Sequence, residues 1–315
     1  GSNGKNAVAA LAFSLQTNRL EACHYFSKLC ATSDKARESG HTGPFFEYLW
    51  APLGANAGGE AAAASFFNRI RWHLDLQRRW DGAFAYDNLA SDGGEGNGNR
   101  YYDFNMTAAA MLTYALPFRR LHVTGANQDT NQWLSAGDVA EIAWAAGYDP
   151  TARSDAELIS DLDNWSPVLT HDAALELGNR SINSTELNQI IALAEDTNGM
   201  ARVGACDALG WIGDSGGLNT LATLLTDGED HVRYMAAESL RYIGGASTVL
   251  DMILSAADTT ARPLRPFDEE DPLHFDHGRL AMLLFYGGNA YGPKGLLYNN
   301  ITGIDRDLLY PAIKA

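Results

Sequence analysis

Cysteine is scarce and unpatterned: three residues in 315, Cys23, Cys30 and Cys206, with no CxxC pair among them. An odd, widely spaced set of thiols argues against a disulfide framework and matches no zinc-site spacing. Cys206 lies inside an apolar helical pattern and reads as a small buried hydrophobe. Long apolar runs are also missing. "NAVAALAFSL" and "AAAMLTYAL" stop well short of the roughly 20 residues that cross a bilayer, so no membrane insertion is expected. Basic residues are the third shortage, 23 against 39 acidic ones for a net charge of −16. Residues 1–150 hold 12 basic and 15 acidic residues, and residues 151–315 hold 11 and 24. Such a surface repels phosphate backbones and anionic lipid heads, which argues against nucleic acid or membrane as a general partner. The chain opens "GSNGKN", with neither a Met nor a basic, apolar leader. A secretory leader ahead of it is compatible with this, and the compartment stays unassigned.

What is present is helical periodicity. "RVGACDALGWIG" (202–213) aligns with "RYMAAESLRYIG" (233–244) at an offset of 31, matching Arg202/Arg233, Ala205/Ala236, Leu209/Leu240, Ile212/Ile243 and Gly213/Gly244. The apolar residues form a helical stripe, and each glycine stands where a left-handed C-cap is wanted. A second helix follows each copy, "LNTLATLLTDG" (218–228) and "STVLDMILSAAD" (247–258). A looser copy runs from "WSPVLTHDAALELG" (165–178), with Ser166 capping and Pro167 at the first helical position, into "NSTELNQIIALAED" (183–196). These antiparallel pairs resemble HEAT-like repeats over 165–258, and residues 259–315 read as the helical cap that such a stack needs.

The N-terminal half has another rhythm. Nearly all-apolar helices follow Gly/Asn turns at 3–16, 41–54 and 104–116, alternating with half-polar helices at 20–31 and 60–80. That alternation is expected of the inner and outer helices of an α/α toroid, here too few to close a ring. Between 126 and 164, Ser135 with Asp138 and Ser154 with Glu157 are capping boxes that mark connecting helices. The expected fold is all-α: a partial α/α toroid (1–125), a helical joint (126–164), a HEAT-like α-solenoid (165–258) and a C-terminal helical cap (259–315).

The turns "GSNGKNA", "GHTGPFF", "RRWDGAF" and "RRLHVTG", together with the repeats, make the chain look like an uncharacterised bacterial family in which a terpenoid-cyclase-like toroid precedes HEAT-like repeats. The resemblance implies an architecture and no agreed reaction. The acidic DxDD run of cyclases is absent, so cyclase activity is not implied.

The densest cluster, "RIRWHLDLQRRWDG" (69–82), reads mostly as a charged helix. Asp75 is one turn from both Arg71 and Arg79, and His73, Trp72, Leu76 and Trp80 fall near the Phe66/Phe67/Ile70 stripe as core or its edge. Asp81, at the helix end, gains nothing from the helix dipole and is expected either to form the turn or to serve chemistry. In a toroid the N-termini of the inner helices ring one mouth, where free N–H groups suit anions and polar ligands. On that argument Lys5, Thr42, Tyr48, Trp50, Tyr86, Tyr102 and Asn105 are candidate ligand contacts, and His41, Asp81 and Asp103 are candidate catalytic groups. "DEEDPLHFDHGR" (268–279) has metal-ligand residue types, with His274 and His277 three apart, but no recognised metal spacing. A solvated acidic loop is the expectation, with no cofactor. "DGGEGNGN" (92–99) lacks a P-loop ending and reads as a mobile flap or a disordered loop, and "YGGNAYGPKG" (286–295) as a segment that closes over a neighbouring surface.

These features predict a helical-repeat binding or scaffold protein with a glycan or peptide in the groove of the toroid and the concave repeat face. The rival expectation is a carbohydrate-active hydrolase or lyase at the toroid mouth, with His41 and Asp81 or Asp103 as acid and base. Half a toroid exposes apolar inner helices, so a homodimer through that face is also expected.

Overall fold

The computed structural model describes residues 3–16, 18–32, 45–84, 106–116, 130–260, 274–288, 292–298 and 302–314. Among these the regular structure is all-α, fifteen α-helices with one isolated bridge between Arg78 and Phe84. The chain divides into two compact units, residues 1–148 and 149–315. The stretch 126–164, expected as a joint, is therefore shared: residues 130–148 pack in the first unit and 149–164 in the second.

In the first unit α1 (Asn3–Ser14), α2 (Leu20–Thr32) and α3 (Phe45–Ala57) meet through small residues. A side chain at Gly54 of α3 would lie 2.6 Å from the Ala7 Cα of α1 and 2.8 Å from the Cys30 Sγ of α2, so the three helices approach closely at that glycine. Ala10 and Ala57 share a second core with Cys23. The pairings Ala7/Gly54 and Ala10/Ala57 mean that α1 and α3 run in the same direction, with α2 antiparallel between them in sequence. Helix α4 (Glu60–Gln77) returns along α3, and Ala62, Phe66, Ile70 and Leu74 pack with Tyr48, Ala51 and Ala55. Ala109 and Ala110 of α5 (Met106–Ala115) close this core. Helix α6 (Ala136–Ala146) is pinned to α2 by Lys28, which reaches both Asp138, at 3.3 Å, and Glu141. The approach to α6 is equally tight, with Gly59 at φ 96° leaving room for the Trp133 ring.

The second unit is a stack. After α7 (Asp155–Asp161), the first helices of the repeats, α8 (Pro167–Gly178), α10 (Gly199–Ile212) and α12 (Asp230–Tyr242), pack in order, and α14 (His274–Phe285) continues the row. The second helices are α9 (Ser184–Leu193), α11 (Leu218–Leu224) and α13 (Leu250–Thr260), and α15 (Arg306–Lys314) packs on α13. The aligned positions Ala205/Ala236 and Leu209/Leu240 are at most 1% exposed, and one continuous core runs from Leu158 to Ala312. Gly213 adopts φ 72° as the C-cap of α10, and Gly244 adopts φ 61° after α12, the left-handed geometry that the repeat requires. Both expected capping boxes form, at Ser135/Asp138 and Ser154/Glu157. Ser166 is the N-cap of α8, but its side chain makes no capping bond; instead its N–H donates to Asn164 Oδ1 at 3.0 Å. Of the segment 286–295, the described residues lie against α14 and its neighbour: Gly295 N–H donates to Tyr286 O at 2.8 Å, and a side chain at Gly292 would lie 3.0 Å from the Tyr242 hydroxyl of α12.

Candidate functional site

In the first unit, polar side chains occupy the buried stripe of α4 where apolar ones would be expected. Phe66, Ile70, His73, Leu74 and Gln77 repeat at helical spacing and all are buried, and His73 and Gln77 tolerate this because they bond one another and Tyr48. The Tyr48 hydroxyl is hydrogen-bonded to His73 Nε2, and the two rings stack at 5.6 Å. The Gln77 amide nitrogen lies 3.0 Å from His73 Nε2 and 3.4 Å from the Tyr48 oxygen. Gln77 Oε1 is buried and has no hydrogen-bond partner among the described residues.

Helix α4 ends at Gln77, three residues earlier than the run to Trp80 suggested, because the chain closes a tight turn. Arg79 N–H donates to Ala83 O at 2.7 Å, Gly82 sits at φ 86°, and the Ala83 N–H donates to Asp81 Oδ1 at 3.0 Å. Asp81 also pairs with Arg79 at 3.3 Å, so its exposed carboxylate forms the turn. Phe84 N–H donates to Thr107 Oγ1 at 3.0 Å, tying the turn to the start of α5. Asp75 bonds Arg71 at 3.3 Å and accepts a short hydrogen bond from the Tyr114 hydroxyl. That bond holds the Asp75 carboxyl below its usual range, and burial together with the same bond pushes Tyr114 up to about 12.

The expected placement of the tryptophans is corrected by the structure. His73 is core, but Trp72, Leu76 and Trp80 are 59%, 76% and 95% exposed. Of the candidate site residues, Lys5 is exposed in the first turn of α1, Tyr48 is buried against His73, and Trp50 is half-buried against the unit's core. His41, Thr42, Tyr86, Tyr102, Asp103 and Asn105 lie outside the described residues, as do 92–99 and 268–273. His274, Asp276 and His277 fall in the first turn of α14. Among the described residues no group of three or more His, Cys, Asp or Glu side chains could hold a metal ion.

In the second unit the outward face of the first-helix row carries linked polar and aromatic groups that the sequence reading did not single out. His171 Nδ1 of α8 lies 2.8 Å from Asp207 Oδ2 of α10, and the His171 ring packs edgewise on Trp211 at 6.0 Å. The hydrogen bond to Asp207 raises the His171 pKa above the ordinary 6.5. One repeat later Glu238 takes the place of Asp207 and Tyr242 that of Trp211. Glu238 pairs with Arg241 at 2.9 Å and with Arg279 of α14 at 3.2 Å, and Arg279 donates to the Tyr234 hydroxyl at 2.7 Å. Trp211 and Tyr242 are 49% and 54% exposed. The available signal was the offset of 31 itself, which pairs Asp207 with Glu238 and Trp211 with Tyr242.

The loops between repeats are fastened by Arg202, which grips Asp227 with two bonds of 2.9 and 3.0 Å and reaches Glu229 at 3.1 Å. It also donates to the Asp196 carbonyl at 2.8 Å, so five-donor guanidinium geometry is used almost completely. Arg233, its counterpart, donates to the Asp227 carbonyl at 2.8 Å.

Compared with known families, residues 1–125 match a domain of unknown function (DUF6288). Residues 156–241 and 187–265 match HEAT repeats, which agrees with the helical pairs seen in the second unit. Neither the curated proteins nor the solved structures include a match to the chain.

Proposed function

We propose that this chain is a binding protein whose repeats present the outward face of the α8, α10 and α12 row to a peptide or glycan. The observation that carries this is the recurrence of one arrangement in successive repeats: a half-exposed aromatic, Trp211 or Tyr242, one turn beyond a carboxylate tied to the neighbouring helix. Exposed aromatic rings supply most of the contact energy of such surfaces at low entropic cost, and the tied carboxylates fix their surroundings. Helical repeats stack into extended surfaces of the kind that bind other molecules. We read α1 to α5 as part of an α/α toroid, supported by the parallel course of α1 and α3.

The rival reading, a carbohydrate-active hydrolase or lyase, would use His41, Asp81 and Asp103. Of these only Asp81 is described, and its carboxylate is committed to Arg79 and Ala83. The test is a glycan array and a peptide array probed with the full chain and with the Trp211→Ala/Tyr242→Ala variant. Specific binding that the double substitution removes is the expected result. Binding of equal strength in the variant, with helicity unchanged, would move the ligand surface elsewhere.

A further inference from the structure

Among the described residues of the first unit, three large exposed apolar side chains lie on α4 and its closing turn. Trp72, Leu76 and Trp80 follow one another at intervals of four residues and are 59%, 76% and 95% exposed. Trp72 and Leu76, one turn apart on α4, form a ridge of the kind by which one helix packs on another, and Trp80 stands in the turn beyond the helix end at Gln77. Trp80 is held at the tip of the bonded turn between Arg78 and Phe84, so its backbone is already ordered before contact. Arg71, Arg78 and Arg79 frame the ridge and are exposed. Arg71 and Arg79 carry local ion pairs, with Asp75 and Asp81. Between 69 and 81, four arginines face two aspartates, in a chain whose net charge is −16. A contact of this ridge with itself would set arginine against arginine.

The same chain exposes a complementary face in its second unit. Helix α13 reads LDMILSAADTT, with two acidic residues and no basic one. Asp251 and Asp258 are exposed and seven residues apart, the separation of Arg71 and Arg78, and Met252 between them is 39% exposed. Two turns of helix span about 10 Å, so the two charge pairs can meet in register, with Met252 as the exposed apolar side chain between the aspartates. Contacts within a Debye length of about 10 Å outweigh the diffuse repulsion of the remaining charge.

We propose that the Trp72/Leu76/Trp80 ridge is a self-association surface that takes the α13 face of a second copy of this chain. The contact is heterologous: each copy offers one ridge and one acidic face, so association continues from copy to copy until geometry closes it.

The experiment is sedimentation velocity on the full chain, from low to high micromolar concentration. Two variants accompany it: a ridge variant, Leu76→Ser/Trp80→Ser, and a face variant, Asp251→Lys/Asp258→Lys. All substituted side chains are exposed, and circular dichroism checks that each variant stays folded. The wild type should associate with rising concentration, and each variant alone should do so at least ~10-fold more weakly. Mixed in equal amounts, the two variants should form a dimer that grows no further, because one retains the ridge and the other the acidic face. A wild type that stays monomeric throughout overturns the proposal, as does association that either variant leaves unchanged. Wild-type association without rescue on mixing overturns the heterologous pairing. Binding of the monomeric wild type to phosphatidylserine vesicles through Trp80 would assign the ridge to a membrane surface instead.

Discussion

Gly204 tests how tightly the repeat stack is drawn together. It lies in the middle of α10, where glycine is a poor choice: alanine is preferred in a helix interior by about 1 kcal/mol. A Cβ at this position would lie 2.1 Å from Leu162 O, 2.9 Å from Leu162 C and 2.9 Å from Thr170 Cγ2. Real Cβ contacts essentially never fall under 3.0 Å, so α10 or residue 162 must retreat by nearly an ångström. Two of the three obstructing atoms are backbone, and no rotamer change relieves them. Overpacking of this kind costs about 1–3 kcal/mol, and an obstructing carbonyl puts Gly204→Ala at the upper end. Subtracting the propensity gain leaves a net loss of about 1–2 kcal/mol, or a fall in melting temperature of roughly 2–8 °C for a unit of this size. Urea denaturation followed by far-UV circular dichroism measures it. Gly137→Ala in α6 is the control, because its nearest neighbour would be Ser135 Oγ at 3.5 Å and the substitution should be neutral or stabilising. A Gly204→Ala protein as stable as the wild type would refute the close approach of α10 to residue 162.

Further expectations concern charged groups. Arg202→Ala should destabilise the second unit by about 3 kcal/mol, since Asp227 would remain largely buried without its partner, and Arg202→Lys should recover only part of the loss; thermal melts of the three proteins decide. Lys28→Met should loosen α6 from α2 by about 1–3 kcal/mol, seen as faster hydrogen exchange over 136–146 than in the wild type. Because its folded-state pKa is raised, His171 contributes stability that is fully present below the ordinary value of 6.5 and is lost as pH rises through the raised value. The melting temperature of the wild type should therefore fall relative to His171→Gln across that interval, and parallel profiles would show that the pair with Asp207 is not coupled to folding.

Local periodicity carried most of the fold in the sequence. The repeat register, the left-handed glycines 213 and 244 and the capping boxes at Ser135 and Ser154 all rest on interactions within a few residues, so their spacing announces them. A third box, Asn183 with Glu186, obeys the same rule. The site was far less legible, for a physical reason. His171 meets Asp207 across 36 positions and Tyr48 meets His73 across 25, and nothing in either local context requires the pairing. Hydrophobicity also misdirects on α4. Trp72, Leu76 and Trp80 look like core, yet His73 and Gln77 take the buried stripe because they hydrogen-bond one another and Tyr48, leaving the larger apolar side chains exposed.

The three buried cysteines are internal reporters, two in the first unit and one in the second. Cys23 and Cys30 belong to α2 in the first unit and Cys206 to α10 in the second, and burial pushes the Cys23 and Cys206 thiols up, away from the reactive thiolate. Alkylation in native buffer should then proceed only through transient opening of the surrounding helices, at a rate set by the free energy of that opening. Peptide mapping after a pulse of iodoacetamide would read the breathing of each unit separately in the unaltered protein, with no label or substitution introduced.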